Sequence, residues 1–148
     1  MTAVLVTWTE GVKTYLAGQF PAADVRIGEP DETETQNQRD KDLILIWLGE
    51  WNALSSDIAL ASPNLQIRWL PAKSRKLPRR ETPNDPAVLY QAMEDLMVAM
   101  KEKRKFGDLA PRVACYVSSG RVVTQPKANW YMQVTLQGSS AHLAVDAG

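Results

Sequence analysis

Apolar residues recur along this chain in two spacings, and the order of those spacings outlines a fold. Over residues 3–19 they recur every three or four positions, which places them on one side of a helix. That apolar side consists of Val4, Trp8, Val12, Tyr15 and Leu16. The same spacing returns after Pro86, a residue that suits the first turn of a helix. The second apolar side consists of Leu89, Ala92, Met93, Leu96, Met97 and Met100.

Shorter runs predict strands, which cover residues 24–28, 42–51, 65–70, 112–118 and 129–137. In the first of them, Val25 and Ile27 alternate with polar residues and are expected to point inward. The run 43–48 is apolar at every position, which suits a central strand covered on both faces, or a strand with one face covered by a helix and the other by a neighbouring subunit. Residues 52–63 have an ambiguous pattern, in which Ile58–Leu60 could form a short helical turn before Pro63. Ser119-Gly120 is a turn signal, after which Val122-Val123 could form the second arm of a hairpin.

Together these segments give the order α-β-β-β-α-β-β, which predicts an α+β fold. We expect a mostly antiparallel sheet with both helices packed on one face. The length of 148 residues favours a single domain over residues 1–148. Polar composition predicts mobile loops near residues 29–41 and 72–84. Small and polar residues predict a frayed tail over residues 138–148.

The composition excludes several kinds of site and partner. Seventeen basic and 17 acidic residues give a net charge of zero, so there is no overall attraction to nucleic acid or to an anionic membrane. No run approaches the roughly 20 apolar residues of a membrane-spanning helix. The single cysteine, Cys115, can form neither an intrachain disulfide nor a cysteine-based zinc site, and we expect it to be a buried apolar residue.

No catalytic or cofactor-binding motif is found, and the chain is not expected to be an enzyme or to bind a cofactor or metal. The only histidine, His142, lies in the predicted tail, where a serine–histidine pair is implausible. Two charged loops remain. The acidic loop contains Asp31, Glu32 and Glu34 but lacks the spacing of a calcium loop. The basic loop spans residues 73–80 and has no aromatic residues to stack on bases.

The order of elements resembles the tail-terminator (tail-completion) and minor tail proteins of long-tailed phages. The similar features are the helix around Trp8–Leu16, the strand Leu43–Leu48, the loop Lys73–Arg80, the helix opened by Asn84-Asp85-Pro86 and the last strand, Asn129–Leu136. The similarity covers nearly the whole chain as an architecture, without a sequence fingerprint. Head-closure, neck and other phage connector proteins have a comparable architecture and are alternatives.

The resemblance implies a structural virion protein that is made in the host cytoplasm and located at the head–tail junction. It implies a hexameric ring that caps the tail tube, stops its polymerisation and meets the head-completion or connector proteins. Genomic DNA could pass through such a ring without sequence-specific recognition. The candidate contact residues, by loop and strand, are Asp31, Glu32 and Glu34; Ile44, Ile46 and Trp47; and Lys73, Arg75, Lys76, Arg79 and Arg80. A nucleic-acid-binding module that uses the basic loop is the alternative of another class.

Overall fold

The structure, a computed structural model, describes residues 4–30, 41–55, 60–71, 87–101, 115–123, 131–138 and 141–142. The two helices within these residues are α1 (Val4–Gln19) and α2 (Ala87–Met100). The strands are β1 (Asp24–Ile27), β2 (Leu43–Ser55), β3 (Leu60–Leu70), β4 (Cys115–Val123), β5 (Tyr131–Gly138) and β6 (Ala141–His142).

The strands form one sheet in the order β1-β2-β3-β5-β4, with β6 paired to β3 beyond the end of β5. The β1–β2 pair is parallel, and every other pairing among the described strands is antiparallel. The predicted α+β fold with a mostly antiparallel sheet is therefore confirmed. The edge strands in the described part are β1 and β4, at opposite sides of the sheet.

The first four residues of β2 are buried on both faces within one subunit, which is the first of the two arrangements that the sequence allows. Ile44 and Ile46 point to the face that carries the helices, which we call the first face. Leu43 and Leu45 point to the opposite face, the second face, where they pack with Leu70. The pairing of β2 with β3, and of β3 with β5, places further apolar side chains on the first face. Those side chains are Leu65, Ile67, Trp69, Met132, Val134 and Leu136.

Both helices cover the first face, as predicted, but at opposite sides of the sheet. Helix α1 lies over β1 and β2, and α2 lies over β5 and β4. Their buried residues belong to one hydrophobic cluster with the strands. From α1 these are Trp8, Val12 and Leu16, and from α2 Leu89, Ala92, Leu96 and Met100. Just after α1, Phe20 packs edge-on against Trp69 at a centroid distance of 4.7 Å.

Two apolar side chains predicted to point inward are exposed instead. Met97 is 50 % exposed because it lies about 100° around α2 from Leu96, off the buried side. Ile27 is 44 % exposed although its neighbour Val25 packs against the core. Ile27 is at the end of an edge strand, where α1 covers it only in part. Both predictions were wrong because periodicity alone does not give the width of the buried stripe.

Strands β2 and β3 form a longer ladder than the sequence predicts. Leu60 belongs to β3, so a helical turn at Ile58–Leu60 does not include it, and residues 56–59 lie outside the described residues. Pro63 fits inside β3 because the β3 ladder passes from β5 to β6 next to it. The carbonyl oxygen of Pro63 accepts a hydrogen bond from Gln137 Nε2 at 3.2 Å.

Ser119-Gly120 is not a hairpin turn, because β4 runs through it without reversing. A register shift between Val117 and Ser119 marks a bulge. Gly120 points to the first face, where a Cβ at its position would lie 3.2 Å from the Met93 methyl carbon. The glycine therefore allows α2 to pack close to the strand. In the sequence alone, the same glycine has the appearance of a turn signal.

The predicted frayed tail is corrected in part: Gly138 ends β5, and Ala141–His142 pair with β3. The remaining tail, most of the acidic loop, the basic loop, the start of the strand predicted at 112–118 and Trp130 lie outside the described residues. On β5 the predicted alternation is confirmed for Met132, Val134 and Leu136, which are buried on the first face.

Candidate interaction surfaces

The structure separates the three candidate contact residues of β2. Ile44 and Ile46 are fully buried under the helices and offer no surface to a partner, which corrects their assignment as contact residues. Because residues 43–48 are all apolar, the sequence does not show which face of the strand is covered by the helices and which could face a partner. Trp47 lies on the second face and is half-buried. The candidates in the acidic loop (Asp31, Glu32, Glu34) and in the basic loop (Lys73, Arg75, Lys76, Arg79, Arg80) lie outside the described residues.

A buried arginine organises the second face. The Arg68 guanidinium lies 3.8 Å from the ring centroid of Tyr131 and 5.5 Å from that of Trp47. Its Nε donates a hydrogen bond of 2.8 Å to Gln133 Oε1. An arginine suits this place because its flat, weakly hydrated guanidinium stacks on rings while it donates in its own plane.

Amide and hydroxyl side chains continue the network between β3 and β5. Gln133 Nε2 donates to Gln66 Oε1 at 2.9 Å, and the Thr135 hydroxyl donates to the same oxygen at 3.2 Å. These side chains line a shallow cavity of about 250 Å³ that also includes Ser119 and Arg121. The side chains of the network bond to one another, so the array stabilises this part of the sheet.

An apolar groove, the margin groove, lies between α1 and the β1–β2 side of the sheet and has a volume of about 370 Å³. Its apolar lining is Leu5, Val6, Ile27, Trp47 and Leu48. Gly28, with φ of +156°, lets the chain leave the sheet directly after β1, while β2 continues. Among the described residues, Leu48 therefore has no partner on β1. Two exposed carboxylates, Glu10 and Glu29, form the rim of the groove.

A second apolar surface, the outer stripe, lies on α2. It consists of Tyr90, Met97 and Val98, which are 57 %, 50 % and 66 % exposed. Large apolar side chains scattered singly are ordinary on a protein surface, but three on one helix form a patch. Lys101 follows at the end of the helix and is exposed.

The margin groove and the outer stripe face in opposite directions. The Tyr15 hydroxyl of α1 donates a hydrogen bond to the Ala99 carbonyl oxygen of α2, so these residues mark the facing sides of the helices. Val6 is nine residues before Tyr15, and Tyr90 is nine residues before Ala99. At about 100° per residue, nine residues turn a helix by about 180°. Val6 and Tyr90 therefore point away from the helix pair, toward the β1 edge and the β4 edge respectively.

Histidine, cysteine and carboxylate side chains do not form a cluster in the described part of the chain. No group of three or more histidine, cysteine or carboxylate side chains that could hold a metal ion is present there. Cys115 is buried, as predicted, and burial raises the pKa of its thiol from 9.0 to about 11, against a smaller lowering by the Trp8 indole N–H. That indole N–H is itself buried and has no acceptor within normal distance among the described residues.

Sequence reasoning missed the margin groove and the outer stripe. One signal was available: Tyr90, Met97 and Val98 exceed the number of apolar residues needed for the buried side of α2. The groove has no such signal, because Val6 meets Ile27 through the packing of α1 on β1, and Leu48 joins them through the parallel β1–β2 pairing.

Neither described helix is long and apolar enough to cross a membrane. A scan against protein-family models and a search of curated proteins found no match to this chain.

Proposed function

We propose that this protein is a structural component of a phage virion that acts, like the tail terminators it resembles, as a ring of identical subunits. The observation that carries the proposal is the pair of opposed apolar surfaces. The margin groove lies at the β1 side of the subunit and the outer stripe at the β4 side.

Two different patches on opposite sides of one subunit suit a heterologous, head-to-tail contact. Such contacts close into a ring when the rotation between neighbours divides a full turn, and otherwise continue as a filament. A contact between two copies of one patch would instead stop at a dimer. The zero net charge is compatible with this, because it gives no long-range repulsion between copies.

In this proposal the ring has six members, caps the tail tube, stops its polymerisation and presents a surface to the head-completion or connector proteins. Its place is the head–tail junction of the virion, after synthesis in the host cytoplasm. The partners are further copies of the chain, the tail-tube protein and the connector. Genomic DNA could pass through the ring, and neither a membrane nor a cofactor has a role.

The charged loops add a proposed electrostatic component. Acidic residues at 29–34 and basic residues at 73–80 have opposite signs, so they could set the register and the association rate between copies or toward a phage partner. Exposed pairs contribute only about 0–1 kcal/mol each, so the loops would steer assembly more than they hold it together.

Size-exclusion chromatography with light scattering tests the ring, and negative-stain images of the peak show its order. Adding the purified protein to polymerising tail-tube protein tests the capping: tubes should stop growing at substoichiometric amounts of ring. A protein that is monomeric at all concentrations would contradict the proposal. A ring that binds connector but leaves tube length unchanged would favour a head-closure or neck role. A salt-sensitive shift of DNA by the monomer would favour the nucleic-acid-binding alternative.

A further inference from the structure

We infer that the outer stripe of one copy docks in the margin groove of the next copy, an inference that rests on the proposed ring. The occupant of the groove is thus a second copy of this chain, and the side chains that enter are Tyr90, Met97 and Val98. The contact is directional, because each copy contributes α2 on one side and the α1–β1 groove on the other.

The size of the margin groove fits a row of side chains from a helix. A groove of about 370 Å³ lies at the lower end of ligand pockets, which hold about 300–1,000 Å³. A helix with its side chains is about 10–12 Å across, too wide to sink into such a groove. A helix can instead insert one row of side chains, as the knobs of packed helices do. The outer stripe supplies such a row, with Tyr90 and Met97 two turns apart on one side of α2.

The charges at the groove rim and at the end of the outer stripe also favour contact between the stripe and the groove. The groove rim carries Glu10 and Glu29, and the carboxyl-terminal end of the stripe carries Lys101. Glu94 also lies on the outer side of α2, and Lys13 follows Glu10 by one turn of α1, so each surface carries both signs. Docking with Lys101 at the acidic rim leaves Glu94 free to approach Lys13.

The first test changes one apolar residue on each surface. Val6→Asp puts a carboxylate into the groove, and Tyr90→Glu puts one into the row of side chains that enters the apolar groove. Both positions are exposed and near the start of their helices, where acidic residues are favoured, so both variants should fold. Tyr116→Glu is the matched control, because Tyr116 is 55 % exposed but lies on the second face of β4.

We expect Val6→Asp and Tyr90→Glu each to raise the concentration for half-assembly at least tenfold, while Tyr116→Glu leaves it unchanged. If either helix variant melts early, Ile27→Thr replaces Val6→Asp and Val98→Gln replaces Tyr90→Glu. Parent-like assembly by a folded variant of either surface would overturn the inference. Normal self-assembly with lost binding to the tail tube would overturn it too, by assigning the surface to that partner.

The second test uses mixing to show direction. Glu10→Lys/Glu29→Lys makes the rim basic, and Lys101→Glu makes the stripe end acidic, so each variant alone places like charges at every junction. In an alternating mixture, every junction regains opposite charges, and assembly should recover above the level of either variant alone. Recovery no greater than the mean of the two would overturn the directional contact.

These outcomes separate the inference from the proposed function. A parent ring that caps tubes and tolerates every variant would leave the function standing and refute the docking. A ring that is broken and rescued as described, but does not cap tubes, would support the docking and refute the function.

Discussion

The hydroxyl of Tyr15 donates a hydrogen bond to the backbone carbonyl oxygen of Ala99 and so joins α1 to α2 above the sheet. The two residues are 84 positions apart in sequence, and their contact fixes how each helix is rotated about its axis. That rotation determines which side chains remain outside. The opposed directions of Val6 and Tyr90 follow from it.

Removing this hydroxyl should loosen the helix pair. We expect Tyr15→Phe to lower the free energy of unfolding by about 0.5–1.5 kcal/mol, the net value of a typical hydrogen bond. Urea denaturation under conditions where the protein is monomeric measures this. Tyr90→Phe is the control, because that phenol is exposed and its loss should change stability by less than about 0.5 kcal/mol. Equal effects at the two positions would show that the Tyr15 bond does not stabilise the fold.

Two neighbouring residues of α2 should respond very differently to truncation. Leu96 is fully buried in the core, and Leu96→Ala should cost about 2–5 kcal/mol and reduce the yield of soluble protein. Met97 is half exposed, and Met97→Ala should change the stability of the monomer by less than about 0.5 kcal/mol. Thermal melts of both variants at low concentration measure the contrast, and similar losses would contradict the assigned rotation of α2.

The contrast at Leu96 and Met97 illustrates what the sequence could predict. A spacing of three and four identifies an amphipathic helix, and here it identified both helices and the residues at the centre of each buried side. It does not give the width of that side, which depends on how close the neighbouring strand and helix lie. Met97, like Tyr90, therefore needed the tertiary structure before it could be placed outside.

Strand ends and sheet order were less predictable for a related reason. Ser119-Gly120 has the composition of a turn, yet Gly120 is in mid-strand, where it pairs with Val134 of β5 and lies beneath Met93. Ile27 alternates as a buried residue would, yet it is exposed because, among the described strands, β1 is at an edge of the sheet and pairs with β2 alone. In both cases the pairing with a strand distant in sequence determines the environment of the residue, and a local sequence pattern does not specify that pairing. The margin groove depends on the same pairing and could not be predicted for that reason.

Arg68 should be much less replaceable than another arginine on the same face. Arg68→Lys keeps the charge but loses the planar stacking on Tyr131 and the Nε bond to Gln133. We expect a loss of about 1–3 kcal/mol in the free energy of unfolding. Arg121 is exposed, and Arg121→Lys should lie within about 0.5 kcal/mol of the parent. Chemical denaturation of both variants tests this, and an unchanged Arg68→Lys protein would mean that the guanidinium does not organise the second face.

The thiol of Cys115 should react slowly while the protein is folded. Its pKa is raised from 9.0 to about 11 by burial, so at pH 8 the thiolate fraction is roughly a hundredfold lower than for an unshifted thiol. The folded state favours the protonated thiol, so its contribution to stability is complete below pH 9 and is lost as pH rises toward 11. The rate of alkylation of the native protein measures the first effect. The free energy of unfolding of the parent and of Cys115→Ala, compared between pH 8 and 11, measures the second. Fast alkylation of the native protein at pH 8 would contradict the burial of the thiol.

The charged loops should affect assembly without affecting the fold. Replacing Arg75, Lys76, Arg79 and Arg80 together by Gln should weaken assembly and leave the melting temperature of the monomer unchanged. Single changes would do little, because each exposed pair is worth only about 0–1 kcal/mol. The defect should resemble that of the parent at high salt, since both remove the same screened interactions.

A control for net charge makes this last test specific. Lys41→Glu/Arg121→Glu lowers the net charge by the same amount as the four glutamine substitutions, but at exposed positions outside the basic loop. Light scattering across a salt series then separates the effects. Weaker assembly of the loop variant alone would place the basic loop in a contact. An equal loss in both variants would reflect general charge repulsion. No loss in either would leave the apolar surfaces, with Tyr90 and Val6 at their centres, as the source of the assembly energy.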